Sequence, residues 1–326
     1  MNSEEPFVMG VTCMVQQTNR FVRAAASLVS VVAVSCLPPA LQPLHAQTSP
    51  DQVVVDRIVQ GDRTKDVSLS ETRQGQLLLC GGGELPTDLL SAFHHYGRGE
   101  RLVVIPTASR LSDTGDFSRW IQAWSDFNWR SIDIVHAENR EQAEADSIAN
   151  VLQQATAVWI SGGDQTRLAD RYLGSRVERE IRGVMKRGGI VGGTSAGSAV
   201  ATKIMITGGQ SEPRIHQGLD LLPKAIVDQH FSQRQRQNRL VNAVANHPDR
   251  VGIGIDEGTG LYINAKEAKV LGQGAVHVFK SPTATVTASA TTSTESPNKE
   301  MLVNFIQKKF VADTSISFDD LPFLDE

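Results

Sequence analysis

The sequence predicts an α/β fold in which a mainly parallel sheet is flanked by helices. Short apolar runs recur along the chain, and amphipathic stretches of helical spacing lie between them. Polar or glycine-rich motifs directly follow five of the runs. That is where open α/β sheets bind ligands, at the carboxyl ends of their strands.

The expected strands are Gln76–Cys80, Leu102–Pro106, Ile132–His136, Ala157–Ser161, Gly189–Gly192, Ala225–Asp228 and Gly252–Asp256. Most are nearly continuous in Val, Ile and Leu, as strands covered on both faces should be. Glu141–Gln154 is rich in Ala, Glu and Gln. Thr166–Arg187 spaces Leu168, Tyr172, Val177, Ile181 and Met185 as one helical face. Near the end, Leu302–Ile306 and Thr314–Phe318 favour β-structure and suggest a C-terminal β-hairpin closing the sheet.

Residues 1–46 read as a secretory signal peptide. Arg20 and Arg23 precede the apolar Ala24–Leu37, Pro38-Pro39 ends that stretch, and Leu44-His45-Ala46 offers cleavage before Gln47. The stretch is short for a membrane span, which needs about 20 apolar residues. An N-terminal helix or a membrane anchor are the other readings. Acidic Glu4 and Glu5 make Met14 an alternative start, and a lipoprotein site at Cys36 is weaker because Val34 stands where a small residue is needed. The expectation is export to the periplasm or medium, without stable membrane insertion. A polar lead-in, 47–75, would then precede a single domain, 76–326, with a Ser/Thr-rich loop at 281–296.

The 326 residues carry 32 basic and 36 acidic side chains, a net charge of −4. That balance gives no general reason to bind nucleic acid. Three cysteines, Cys13, Cys36 and Cys80, are too few for a disulfide scaffold or a cysteine-ligated metal site. Cleavage after Ala46 would leave Cys80 alone. No cofactor or metal is expected.

Gly193-Thr194-Ser195-Ala196-Gly197 fits G-x-S-x-G, in which a tight strand-to-helix turn pushes out a serine hydroxyl. The Ala196 N–H would then face a developing oxyanion. The other reading is a structural or phosphate-binding turn, although no Gly-Lys-Ser/Thr of a Walker loop is present. A nucleophilic serine needs a base. His230 follows an apolar strand and is flanked by Asp228, Gln229 and cations, whereas His94, His95, His136, His216, His247 and His277 read as surface or packed histidines. Glu257, just after the Gly252–Asp256 run, is the first choice to orient the imidazole; Asp256 should point to the opposite side, and Asp228 is better placed to shape a pocket. The order Ser, His, Glu differs from that of α/β-hydrolases. Arg234, Arg236 and Arg239 form either a solvated face or a carboxylate clamp.

Four motifs together resemble the cyanophycinase-like serine peptidases, a family that also includes aspartyl dipeptidase. They are Gly162-Gly163-Asp164-Gln165, Gly192 to Gly197, Asp228-Gln229-His230-Phe231-Ser232-Gln233-Arg234-Gln235-Arg236, and Gly254-Ile255-Asp256-Glu257, within about Leu77 to Ala275. The resemblance implies a fold like that of class I glutamine amidotransferases. It makes Ser195 nucleophile, His230 base and Glu257 orienting acid, with Gly163 as second oxyanion donor. Gln165, Asp228, Gln229, Arg234, Arg236 and Arg239 match positions lining the substrate pocket. It also implies a substrate joined through the β-carboxyl of aspartate: cyanophycin, a poly-aspartate with arginine on each β-carboxyl, or a smaller β-aspartyl peptide. Homodimers are usual among such relatives. The alternatives are an aspartyl or isoaspartyl dipeptidase and a catalytically silent secreted binding protein.

Overall fold

The computed structural model describes residues 57–59, 75–281, 305–317 and 319–321. Its described strands and helices fall within one compact unit, Thr48–Glu326. Residues 1–46, nearly all of the lead-in 47–75 and the Ser/Thr-rich tract beyond Ser281 lie outside the described residues.

The first half of the chain builds most of the main sheet from β1 (Arg57–Val59), β2 (Gln76–Cys80), β3 (Arg101–Ile105), β4 (Ser131–Ile134), β5 (Ala157–Ile160) and β6 (Ile190–Thr194). Among them run α1 (Thr87–Tyr96), α2 (Ser118–Ser125), α3 (Asp146–Gln154), α4 (Gln165–Tyr172) and α5 (Arg176–Lys186). The centre, in the order β4-β3-β5-β6-β2, is entirely parallel. Alternate residues feed two cores, as a pleated strand requires. Leu77 and Leu79 face α3, α4 and α5 through Ile148, Leu168 and Val177. Leu78 and Cys80 face α1 and α2 through Leu89, Phe93 and Trp124.

The expected helix over Thr166–Arg187 is two helices. Gly174 (φ +68°) breaks it, and the Ser175 hydroxyl accepts from Glu178 N to start α5 afresh. Glu141–Gln154 divides likewise: a short 3₁₀ turn, Gln142–Glu144, precedes α3, with extended Ala145 between them.

The second half is less uniform. After α6 (Ala196–Ala199), β7 (Ile204–Gly208) and β8 (Arg214–Gln217) form a separate hairpin. β9 (Ala225–Gln229), α7 (Gln237–Asn246) and β10 (Val251–Ile255) follow, β9 and β10 being parallel. β11 (Thr259–Ile263) and β12 (Ala268–Gly272) return to the main sheet beside β2. β13 (Ala275–Lys280) and β14 (Ile306–Val311) join β10 in a second, four-stranded sheet, and β15 (Ser315–Ile316) caps β12. The main sheet thus has a parallel centre with antiparallel flanks, nine strands in all among the described residues.

Of the expected C-terminal hairpin, residues 302–304 lie outside the described residues, and the two strands described in this region do not pair with each other. β14 pairs over its six residues with β13, while β15 pairs with β12 in the other sheet. Each finds a ready sheet edge there, whereas two-residue β15 offers β14 almost no ladder. Asp313 (φ +61°), donating to Val270 O at 2.9 Å, turns the chain from one sheet to the other.

Candidate active site

Ser195 sits between β6 and α6 at φ +53°, ψ −109°, a backbone setting that costs a non-glycine residue about 1–3 kcal/mol. Packing enforces it. A Cβ on Gly197 would stand 2.1 Å from Ile160 O, so only glycine lets α6 fold back against β5. Ser195 N donates to Cys80 O at 3.0 Å. Ser198 ties the same corner together: its hydroxyl accepts from Cys80 N at 2.8 Å and lies 2.7 Å from the carbonyl oxygens of both Cys80 and Gly193. The serine side chain is left half-buried at the strand ends.

His230 follows β9 in the second sheet, also with positive φ (+48°). Its Nε2 is 2.9 Å from Ser195 Oγ and its Nδ1 is 2.5 Å from Glu257 Oε1. Glu257 lies in the turn from β10 to β11, the link between the two sheets. With Nδ1–H donating to the carboxylate, Nε2 is free to accept the serine proton. Burial pushes the imidazolium down from its usual value. The Glu257 hydrogen bond opposes this, and the Arg234 and Arg236 charges reinforce it. A neutral imidazole is therefore favoured at neutral pH, the form a base requires.

The Gly81-Gly82-Gly83 run after β2 makes room for this pair. A Cβ at Gly82 (φ +101°) would meet His230 Cε1 at 2.3 Å, and one at Gly83 would meet Glu257 Cβ at 2.9 Å. The Gly162-Gly163 turn lies on the other side of the serine, with a Gly162 Cβ falling 3.5 Å from Ser195 Cβ. Asp164 N donates to Ala108 O, and the Asp164 carboxylate caps α4 by accepting from Thr166 N at 2.8 Å. Ala196 opens α6, so its N–H has no intrahelical acceptor.

Beside the serine, Gln229 Oε1 is 3.4 Å from Ser195 Oγ and accepts from Arg236 Nη1 at 2.9 Å. Arg236 also donates to Gln229 O, and burial lowers its pKa to about 10. Asp228, 1 % exposed, accepts two 2.6 Å bonds from Arg239. A cavity of about 410 Å³ opens here, lined by Arg234, Arg236, Asn238 and Arg239 together with Gly209 and Ser211 of the β7–β8 loop. No carboxylate is among the lining residues. Arg234 and Arg236 precede α7 rather than sitting within it.

The structure therefore brings Ser195, His230 and Glu257 into one hydrogen-bonded line, with Gln229 and Arg236 against it. Asp228 and Arg239 are largely spent on each other. Gln165 turns away, donating to Ile206 O of the hairpin at 2.8 Å. Asp256 points away from His230, accepting from Ser232 N at 3.0 Å. Sequence reasoning missed the steric duty of Gly82 and Gly83, the Ser198 tie, and Asn242, which donates to Ser211 O at 2.9 Å. The uninterrupted glycine run after a strand was the available signal for the first. Among the described residues, no helix is long and apolar enough to cross a membrane.

Comparison with known proteins follows the same lines. The family model for peptidase family S51 matches residues 77–271. A cyanophycinase of Geminocystis herdmanii is 33 % identical over 239 residues, covering 69 % of this chain and 87 % of the relative. One from Trichormus variabilis is 37 % identical over 186 residues, covering 54 % and 62 %. A peptidase E of Nostoc sp. is 25 % identical over 193 residues, covering 56 % and 76 %. Among solved structures, a peptidase from an acI-B1 Actinobacterium superposes with a TM-score of 0.58 at 21 % identity, covering 77 % of this chain and all of that one. At that identity it speaks for the fold.

Proposed function

This chain belongs to peptidase family S51 and is a serine-type peptidase, and from that premise we propose that it acts on β-aspartyl peptides, cutting the backbone amide bonds of cyanophycin between its β-linked Asp-Arg units and so releasing β-Asp-Arg dipeptides. The observation that carries the proposal is the Ser195–His230–Glu257 line, joined through Gln229 and Arg236 to a cavity lined by arginines and by no carboxylate. Each arginine branch of that polymer ends in a free carboxylate a few bonds from the backbone amide. Arg234 and Arg236 are placed to receive it through charge-assisted hydrogen bonds.

Ser195 Oγ attacks the backbone carbonyl carbon of a β-linked Asp-Arg unit as its proton passes to His230 Nε2. Glu257 stays ionised and stabilises the imidazolium. The tetrahedral oxyanion accepts from the N–H groups of Ala196 and Gly163. The C–N bond then breaks, and His230 returns the proton to the leaving amine. Water, deprotonated by His230, releases the aspartyl acyl group from the serine.

Incubation with insoluble cyanophycin and with short oligomers of β-linked Asp-Arg units tests this reading: both should release β-Asp-Arg. If neither is, beside a cyanophycinase that succeeds, the reading is wrong. The peptidase E relative favours one second reading, an aspartyl or isoaspartyl dipeptidase. Free N-terminal aspartate released from short peptides, with polymer left intact, would select it. Export is part of the proposal, supported by Arg20 and Arg23 before Ala24–Leu37 and by Leu44-His45-Ala46. The exported protein should begin at Gln47, and a retained residue 1 would refute cleavage. A homodimer is proposed on the same family grounds, and a monomeric mass in solution would exclude it.

A further inference from the structure

Two turns carry the base and its orienting acid, and nothing in the triad itself holds them together. His230 follows β9 in a left-handed conformation, and Glu257 sits in the turn after β10 with its side chain 37 % accessible. A short imidazole–carboxylate bond between two such groups needs its backbones fixed from outside.

Beside the backbone bond from Phe231 N to Ile255 O at 3.1 Å, two hydrogen bonds to side chains cross between these turns in opposite directions. Ser232 N, two residues past His230, donates to Asp256 Oδ1 at 3.0 Å. Glu257 N donates to Gln233 Oε1 at 3.0 Å. Each turn thus supplies one donor and one acceptor, all within three residues of the group it positions. Asp256 is 6 % exposed and is itself held from behind by His277 of β13. The His277 Nδ1 is buried without a partner, so the ring's proton sits on Nε2, 3.4 Å from Asp256 Oδ2 and 3.3 Å from Ser232 Oγ. His277 lies opposite Gly254 in the β10–β13 ladder, so the support comes from the second sheet itself.

We propose that Asp256 and Gln233, with His277 behind Asp256, are positioning residues that clamp the His230 turn to the Glu257 turn and so set the geometry of the His230–Glu257 hydrogen bond. The inference rests on the reading of Ser195, His230 and Glu257 given under the proposed function, and its readout is independent of turnover.

The experiment uses the full chain and two measurements. One is kcat and KM on a short oligomer of β-linked Asp-Arg units. The other, in the absence of substrate, is the low-field proton resonance of the short His230 Nδ1–H···Glu257 bond. Asp256→Ala should lower kcat about tenfold to a hundredfold with KM within about twofold, because a displaced base costs rate more than binding. It should also move the resonance upfield. Asp256→Asn, which keeps an oxygen acceptor for Ser232 N–H, should restore most of both. Gln233→Ala should act in the same direction and more weakly; its side chain is exposed, so it decides the matter alone if Asp256→Ala does not fold. A folded Asp256→Ala or Gln233→Ala protein with parental kcat and an unmoved resonance overturns the clamp. So does an Asp256→Asn protein as impaired as Asp256→Ala. If the parent cleaves no β-aspartyl substrate, the proposed function fails while the resonance still decides the clamp.

Discussion

The two halves of the proposed active site are built by different means. The nucleophile half belongs to the main sheet: Ser195 is fixed by apolar strands, by the close approach of Gly197 to Ile160 and by the backbone bond to Cys80. The half with the base and the arginines belongs to the second sheet and its loops. There, polar bonds do the fixing: Arg239 on Asp228, Arg236 on Gln229, Ser232 on Asp256. Close packing gives a nucleophile that cannot drift. Bonds among polar groups give a pocket whose charge and shape can be altered piece by piece.

Ser195→Ala tests the first half at its centre. It should lower kcat by roughly 10⁴- to 10⁶-fold while leaving substrate binding measurable by calorimetry; unchanged turnover would remove Ser195 from the nucleophile role. Arg239→Ala tests the second half. It strands the Asp228 carboxylate, 1 % exposed, without its main partner, and should cost about 3–5 kcal/mol in urea unfolding. A loss below about 1 kcal/mol would mean the pair is not the half's structural anchor. Gly82→Ala probes the seam between the halves. Its Cβ would meet the His230 ring at 2.3 Å and should lower kcat about a hundredfold, with the loss read in kcat rather than KM.

The smallest effect is electrostatic. Arg236→Ala removes a cation that holds the His230 pKa down, so that pKa should rise. Because only neutral His230 accepts a proton, the acidic limb of the kcat/KM profile should move to higher pH, with KM raised about tenfold by the lost carboxylate contact. A limb that stays in place would show that Arg236 acts only on substrate.

The same contrast governs what was readable in the sequence. The parallel centre was legible because strands covered on both faces must be continuously apolar, as Leu102 to Ile105 are. Ser195, His230 and Glu257 could be picked out because each follows such a run. The division into two sheets was not, since β9 and β10 are as apolar as the strands of the main sheet. Nor was the duty of Gly82, whose reason is an imidazole nearly 150 residues away. Arg234, Arg236 and Arg239 read as one cluster, yet Arg239 gives its charge to Asp228. Spacing alone does not reveal which arginine has a partner. Of the terminal runs, residues 302–304 lie outside the described residues and β14 begins only at Ile306, while Thr314–Phe318 yields the two-residue β15; their pairing depends on which sheet edges stand open nearby.

The β7–β8 hairpin is anchored in an unusual currency. Gln165, Arg239 and Asn242 all bond its main-chain carbonyls, at Ile206, Gly209 and Ser211. These anchors are indifferent to the side chains the hairpin carries. Gln210 and Ser211, which face the cavity, can therefore be exchanged without releasing the wall. The chain has in effect a replaceable cheek to the cavity proposed to take substrate, and exchanges at 210–211 would test whether selectivity can be altered without touching the proposed catalytic residues.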